Sequence, residues 1–220
     1  KGFRELGFLP EAFVNMLAVL GWNDGSDKEL FSLADLVERF QVERVHKGGA
    51  KFDFEKAKWF NHEWIKQSDA AKLKPLVKSN LLQQGISVTD DALLEKVIGL
   101  VKERCTFLTD FAAQSSFFFQ PPAQTDWEAV RPKWNDQKQQ FFVELIRAYQ
   151  LIPAWQHDDL EKEFKEMAAA HQIKPGELLL PLRVMLVGGK FGPGVFDIAT
   201  VIGRDDTIGR IEQFLSKGAG

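Results

Sequence analysis

One stretch of this chain, GELLLPLRVMLVGGKFGPGVFDIATVIG at residues 176–203, has the residue types to hold another molecule. From Leu178 to Val187 every side chain is apolar except Arg183. A helix apolar nearly all round is buried, so its lone arginine requires the carbonyls of a neighbouring element or a ligand. Pro181 either begins a short helix or bends a longer one, because it has no N–H and crowds the preceding turn. Gly188 and Gly189 stop that helix, and Gly192-Pro193-Gly194 makes a tight turn that lets backbone approach another molecule closely. Val195 to Ile202 is a second apolar segment, closed by Gly203. One cation beside exposed backbone is suited to recognition rather than to making bonds.

The chemistry missing elsewhere agrees with that. His46, His62, His157 and His171 have neither HxxxH nor HExxH spacing, and Cys105 has no companion, so no metal site is expected. GGKFGPG lacks the lysine spacing of a phosphate loop and a strand before it, and there is no nucleophile elbow. The single cysteine excludes an internal disulfide and suits a reducing cytoplasm. No apolar run approaches the ~20 residues that span a bilayer. A net charge of −3 argues against indiscriminate binding to DNA or RNA, yet residues 41–80 hold nine Lys/Arg against five Asp/Glu. That +4 segment, with Lys47, Lys51 and Lys56, is either an RNA-facing surface or a solvated helix face.

The elements that would position these groups read as helices throughout, an all-α fold. Pro10 opens a helix over 10–20 with Phe13, Leu17 and Leu20 on its packed face. Ser32 and Asp35 form a capping-box start, and Asp53 caps a helix carrying Phe54, Ala57, Phe60 and Trp64. Ser68 and Asp69 start a further segment, Pro75 begins another, and Gly85 ends it. Asp90 and Asp91 open a long helix to about Cys105, with Leu93, Val97, Leu100 and Val101 inward. Arg104 falls near its C-terminal end, where the dipole favours a cation. Phe117, Phe118 and Phe119 cannot all point one way; they are a packed helix end or, as a second reading, a base-stacking platform. Phe141, Phe142, Leu145, Ile146 and Tyr149 mark another helix. An acidic amphipathic helix follows at 158–171, and the last, at 204–216, packs through Ile208, Ile211 and Leu215.

Read in order, GFLPEAFVNMLAVLGW, FSLADLVERF, GGAKFD, KWFNHEWI, VKERCTFLTDF and PLR followed by GPGVFDI resemble the C-terminal part of bacterial glutamyl-tRNA synthetases. The resemblance implies a small helical stem-contact region at 1–67, then an all-helical anticodon-binding region of a class I aminoacyl-tRNA synthetase. Its first subdomain would be 68–150 and its second 151–220. It implies that Arg183 and the turn Gly192, Pro193, Gly194, Val195 read the first and middle anticodon bases, and that Arg104 reads the last, with Lys102 the neighbouring candidate. Lys47, Lys51 and Lys56 would meet tRNA backbone. Two positions depart from the family pattern: Gly192 stands where a hydroxyl residue can occur, and Val195 is smaller than the usual leucine. The parent enzyme would be cytoplasmic and join glutamate to tRNA(Glu) with ATP and Mg²⁺. Neither ATP-site signature is among these residues, a KMSKS-type loop being expected just before Lys1, so this part is expected to need no cofactor and to charge no tRNA. It is expected to act as a monomer, away from membranes and DNA. The competing class is a helical protein–protein docking module without RNA.

Overall fold

Residues 2–217 are described by the structure, a computed structural model. Among them are thirteen α-helices, three 3-10 turns and no strand, with one isolated bridge between Trp22 and Val45. No helix among them is long and apolar enough to cross a membrane. The chain divides into two units, Lys1–Ala113 and Gln114–Gly220, so the span 68–150 drawn from the sequence contains that division.

The first unit begins with α1 (Phe3–Leu6) and α2 (Pro10–Gly21), whose first-turn proline has φ already set for a helix. α3 (Leu33–Arg39) starts at a complete capping box: Ser32 accepts from the Asp35 N–H, and Asp35 accepts from the Ser32 N–H. α4 (Phe54–Gln67) is capped by Asp53, which accepts from Glu55 N at 2.9 Å and Lys56 N at 3.2 Å. α5 (Ala70–Gln83) is one helix with Pro75 inside it, where two segments are expected from the sequence. Pro75 and Ala71, the residue whose carbonyl it leaves without a donor, are both exposed, so water replaces the lost bond. α6 (Asp91–Val101) is capped by Asp90 and ends four residues earlier than the periodicity suggests.

Two buried asparagines tie this unit together. Asn15 accepts from Phe31 N and Trp64 Nε1, both at 3.0 Å, and donates to Glu29 O at 2.8 Å. Asn61 accepts from Leu9 N at 2.8 Å and donates to Gly7 O and Thr106 O at 3.3 and 2.6 Å. Each holds three backbone or side-chain groups, the satisfaction that burial of an amide demands. The buried residues of α2 are Ala12, Asn15 and Met16; Phe13 packs on the same core half-buried, as its spacing implies, whereas Leu17 is exposed.

The chain passes through α7 (Asp110–Phe119), in which the division falls, into the second unit. That unit holds α8 (Trp127–Val130), α9 (Asp136–Leu151), α10 (His157–Ala170), α11 (Pro175–Val187), α12 (Val195–Ile202) and α13 (Arg204–Lys217). Phe141, Phe142, Leu145, Ile146 and Tyr149 are all buried on α9, which packs against α10 and α13. Pro181 lies inside the longer helix α11 and does not begin a short one; the carbonyl facing its missing N–H is that of exposed Glu177, near the helix start. Arg210 on α13 is buried and caps α11 by donating to Leu186 O at 2.6 Å while pairing with Asp206 at 3.0 Å. Burial lowers its pKa, against the pull of Asp206.

Candidate nucleic-acid interface

Arg104 lies on a 3-10 turn, Lys102–Arg104, that continues α6, with Cys105 already extended. That turn is held from three sides. Lys102 donates to Ser68 O at 2.8 Å, His62 Nδ1 donates to Cys105 O at 3.0 Å, and Asn61 donates to Thr106 O at 2.6 Å. Beyond it, the Asp110 carboxylate accepts from Thr106 N and Phe107 N, both at 2.8 Å. Cys105 is fully buried, and burial with the nearby Asp110 charge pushes its thiol up to about 12, so it is a packing residue and not a nucleophile. Arg104 itself is exposed, with no hydrogen bond or ion pair to a described residue. Of the two cations in VKER, Lys102 is thus engaged in holding the turn and Arg104 presents its guanidinium to solvent. Five N–H donors in a planar fork on a fixed backbone are suited to the acceptor edge of a base.

In the second unit, Arg183 is half-buried and faces the loop that follows its own helix. Its Nη1 donates to the carbonyls of Phe191, Gly192 and Pro193 at 3.1, 3.0 and 2.5 Å. One nitrogen with two hydrogens serves three acceptors, so these bonds are shared, and the three carbonyls are drawn together around it. Gly188 ends α11 at φ +85°, and a Cβ there would stand 2.8 Å from Pro122 Cβ. Gly192 has φ +97°, and a Cβ would meet the Phe117 ring at 3.2 Å. This left-handed conformation suits glycine at position 192. Gly194 is exposed and caps α12; a side chain there would run into the Asp197 carboxylate at 2.6 Å. Asp197 in turn accepts from His157 Nδ1 at 2.8 Å.

The side chains of Pro193 and Val195 are buried, so at this turn only backbone and the edges of two glycines are open to a ligand. Phe117 and Phe118 are buried too, at 2% and 4% exposure, as a packed helix end requires. Of the expected site residues, Arg104 lies in the first unit, and Arg183 and the glycine turn lie in the second.

The basic segment at 41–80 is largely paired with acids, several from outside it. Lys56 pairs with Glu29, Lys72 with Glu11 at 2.7 Å, Lys74 with Glu95 at 3.0 Å and Lys78 with Asp91 at 2.6 Å. Lys78 holds the Asp91 carboxyl below its ordinary value, chiefly through that hydrogen bond. Lys47 and Lys51 are exposed and make no ion pair with a described residue. Sequence reasoning also missed Asn61 and His62, which fix the Arg104 turn from α4; nothing in their local spacing separates them from helix-surface polar residues. Among the described residues no group of three His, Cys, Asp or Glu is placed to hold a metal ion.

An all-helical pair of units, one presenting a held arginine and the other a braced glycine turn, defines a binding domain. The chain matches the anticodon binding domain family over residues 55–215 and belongs to it. It is 43% identical over 217 residues to the glutamate–tRNA ligase of Flavobacterium johnsoniae, covering 98% of this chain and 43% of that protein. With the glutamate–tRNA ligase of Porphyromonas gingivalis it shares 38% identity over 213 residues, covering 97% and 42%. The crystal structure of a glutamate tRNA ligase from Elizabethkingia meningosepticum in complex with its amino acid superposes with a TM-score of 0.90 at 35% identity, covering 98% of this chain and 42% of that one. The chain spans about two fifths of the length of these relatives and corresponds to their C-terminal portion.

Proposed function

We propose that this chain is the tRNA-recognising portion of a glutamate–tRNA ligase, a cytoplasmic monomer in which it binds tRNA(Glu) at the inner stem and the anticodon. The parent would join glutamate to that tRNA with ATP and Mg²⁺; this portion contributes selection of the tRNA and is expected to show no charging by itself. The observation that carries the reading is Arg104, an exposed guanidinium on a turn fixed by Asn61, His62 and Lys102. Anticodon bases, once unstacked, are read on their edges by side chains and backbone, which is how single-stranded RNA is generally specified. Arg104 reads the last base; the backbone of Gly192 and Gly194 faces the first and middle bases. Arg183 supports that turn by drawing the carbonyls of Phe191, Gly192 and Pro193 together. Lys47 and Lys51 supply phosphate attraction, to which Lys56 adds only by releasing Glu29.

Titrating the chain with tRNA(Glu) across salt concentrations tests this. Affinity should fall by roughly tenfold or more between about 50 and 200 mM salt as counterions are released. Binding that is indifferent to salt, or no preference for tRNA(Glu) over a tRNA with another anticodon, would favour a protein-docking module instead.

A further inference from the structure

Resting on the anticodon reading, we propose that Phe191 is a stacking platform for one unstacked base of the RNA loop. In the run Phe117–Phe119, Phe117 and Phe118 are core residues, whereas Phe191 is 43% exposed. It stands immediately before Gly192, and its own carbonyl is one of the three that Arg183 gathers at 3.1 Å. Its ring meets the buried Phe117 ring edge-on, with centroids 5.9 Å apart and planes at 65°. Gly189 lets the ring lie close to the backbone, since a Cβ there would meet Phe191 Cε1 at 2.8 Å. The ring thus packs against the core ring of Phe117 and is rooted in a braced backbone, while much of it meets solvent. An aromatic side chain held this way loses little freedom when a flat ligand covers it. Lys190, the residue before it, is exposed and supplies a cation beside the ring that can attract an RNA phosphate. Every base has a π-face, so this contact would add affinity without choosing among bases, in contrast to the edge contacts of Arg104.

The test uses the chain as it stands, with hairpin RNAs carrying the glutamate anticodon and variants in which one anticodon base is removed in turn. Phe191→Leu keeps an apolar side chain and removes the π-face; it should bind the intact hairpin about tenfold more weakly, the loss of one stacked base. Phe191→Trp should bind as tightly as the native chain or tighter. On one of the abasic hairpins the native chain and Phe191→Leu should bind equally, because the stacked base is gone. With 2-aminopurine at that position, quenching on binding should be present for the native chain and absent for Phe191→Leu. Equal binding of native and Phe191→Leu chains to the intact hairpin overturns the stacking role while leaving anticodon reading intact. A tenfold loss that persists on every abasic hairpin overturns it as well, since the ring would then act only through packing. If the native chain binds no hairpin at low salt, the anticodon reading itself fails and this proposal with it.

Discussion

The two arginines that the family pattern singles out are placed in opposite ways. Arg183 sits half-buried and spends Nη1 on three loop carbonyls of its own unit, whereas Arg104 stands exposed while its neighbours do the holding. A guanidinium has the same donors in both places; what differs is which of them the protein already uses. Where they are consumed, the arginine shapes a surface that another molecule meets through backbone. Where they are left open on a fixed turn, the arginine can itself be the recognising group. The same residue type is thus held in two ways, engaged with its own loop at 183 and open to solvent at 104.

The largest effect should come from breaking the braced turn at its hinge. Gly188→Ala places a Cβ against Pro122 and Gln124 at a left-handed φ, and should destabilise the second unit by about 3 kcal/mol, the sum of backbone strain and overpacking. A thermal melt that shows no loss would mean that the loop relaxes freely and is not braced. Next, Arg183→Met keeps the apolar stem and removes the donors, leaving three carbonyls to find water. Stability should fall by about 1–3 kcal/mol. Hairpin affinity should drop for all anticodons alike, as the turn loosens. Unchanged stability with lost selectivity at a single base would instead make Arg183 a reader, and the contrast with Arg104 would collapse.

Smaller effects should sort the lysines. Replacing Lys47 and Lys51 together by glutamine should lower affinity a few-fold for every tRNA and flatten the salt dependence. Lys56→Gln should change less, because Lys56 is engaged with Glu29 and a surface pair of this kind contributes only about 0–1 kcal/mol. An effect of Lys56→Gln equal to that of the other two would show that its pairing with Glu29 does not hold it from phosphate.

The elements were legible in the sequence wherever the determinant is local. Ser32, Asp53 and Asp90 cap the helices that follow them, and the Phe141–Tyr149 stripe is buried as its spacing implies. At Pro75 the sequence suggests two segments where the structure has one helix, with Pro75 and the Ala71 carbonyl it orphans both at the surface. The excess of basic residues at 41–80 was visible, but not the pairing that offsets it. Its partners Glu11, Glu29, Asp91 and Glu95 lie outside the segment and come to it only through packing. Arg183 was legible as a cation needing acceptors; that they belong to residues 191–193 of the same hairpin depends on how the loop folds back. Asn15 and Asn61 were silent for the same reason, since a buried amide is recognised by its distant partners and not by its neighbours in sequence.

The central claim is that an open guanidinium on a held turn reads the last anticodon base. Its most direct test is the affinity of the native and Arg104→Gln chains for hairpin RNAs that differ only at that base, with a melting curve for each protein. The native chain should discriminate by roughly 1–3 kcal/mol, the value of a good bidentate contact in DNA. Arg104→Gln should lose most of that preference while melting at the native temperature, since the side chain supports nothing else in its unit. Discrimination that survives the substitution while the melting temperature falls by several degrees would contradict the account and make Arg104 a structural cap.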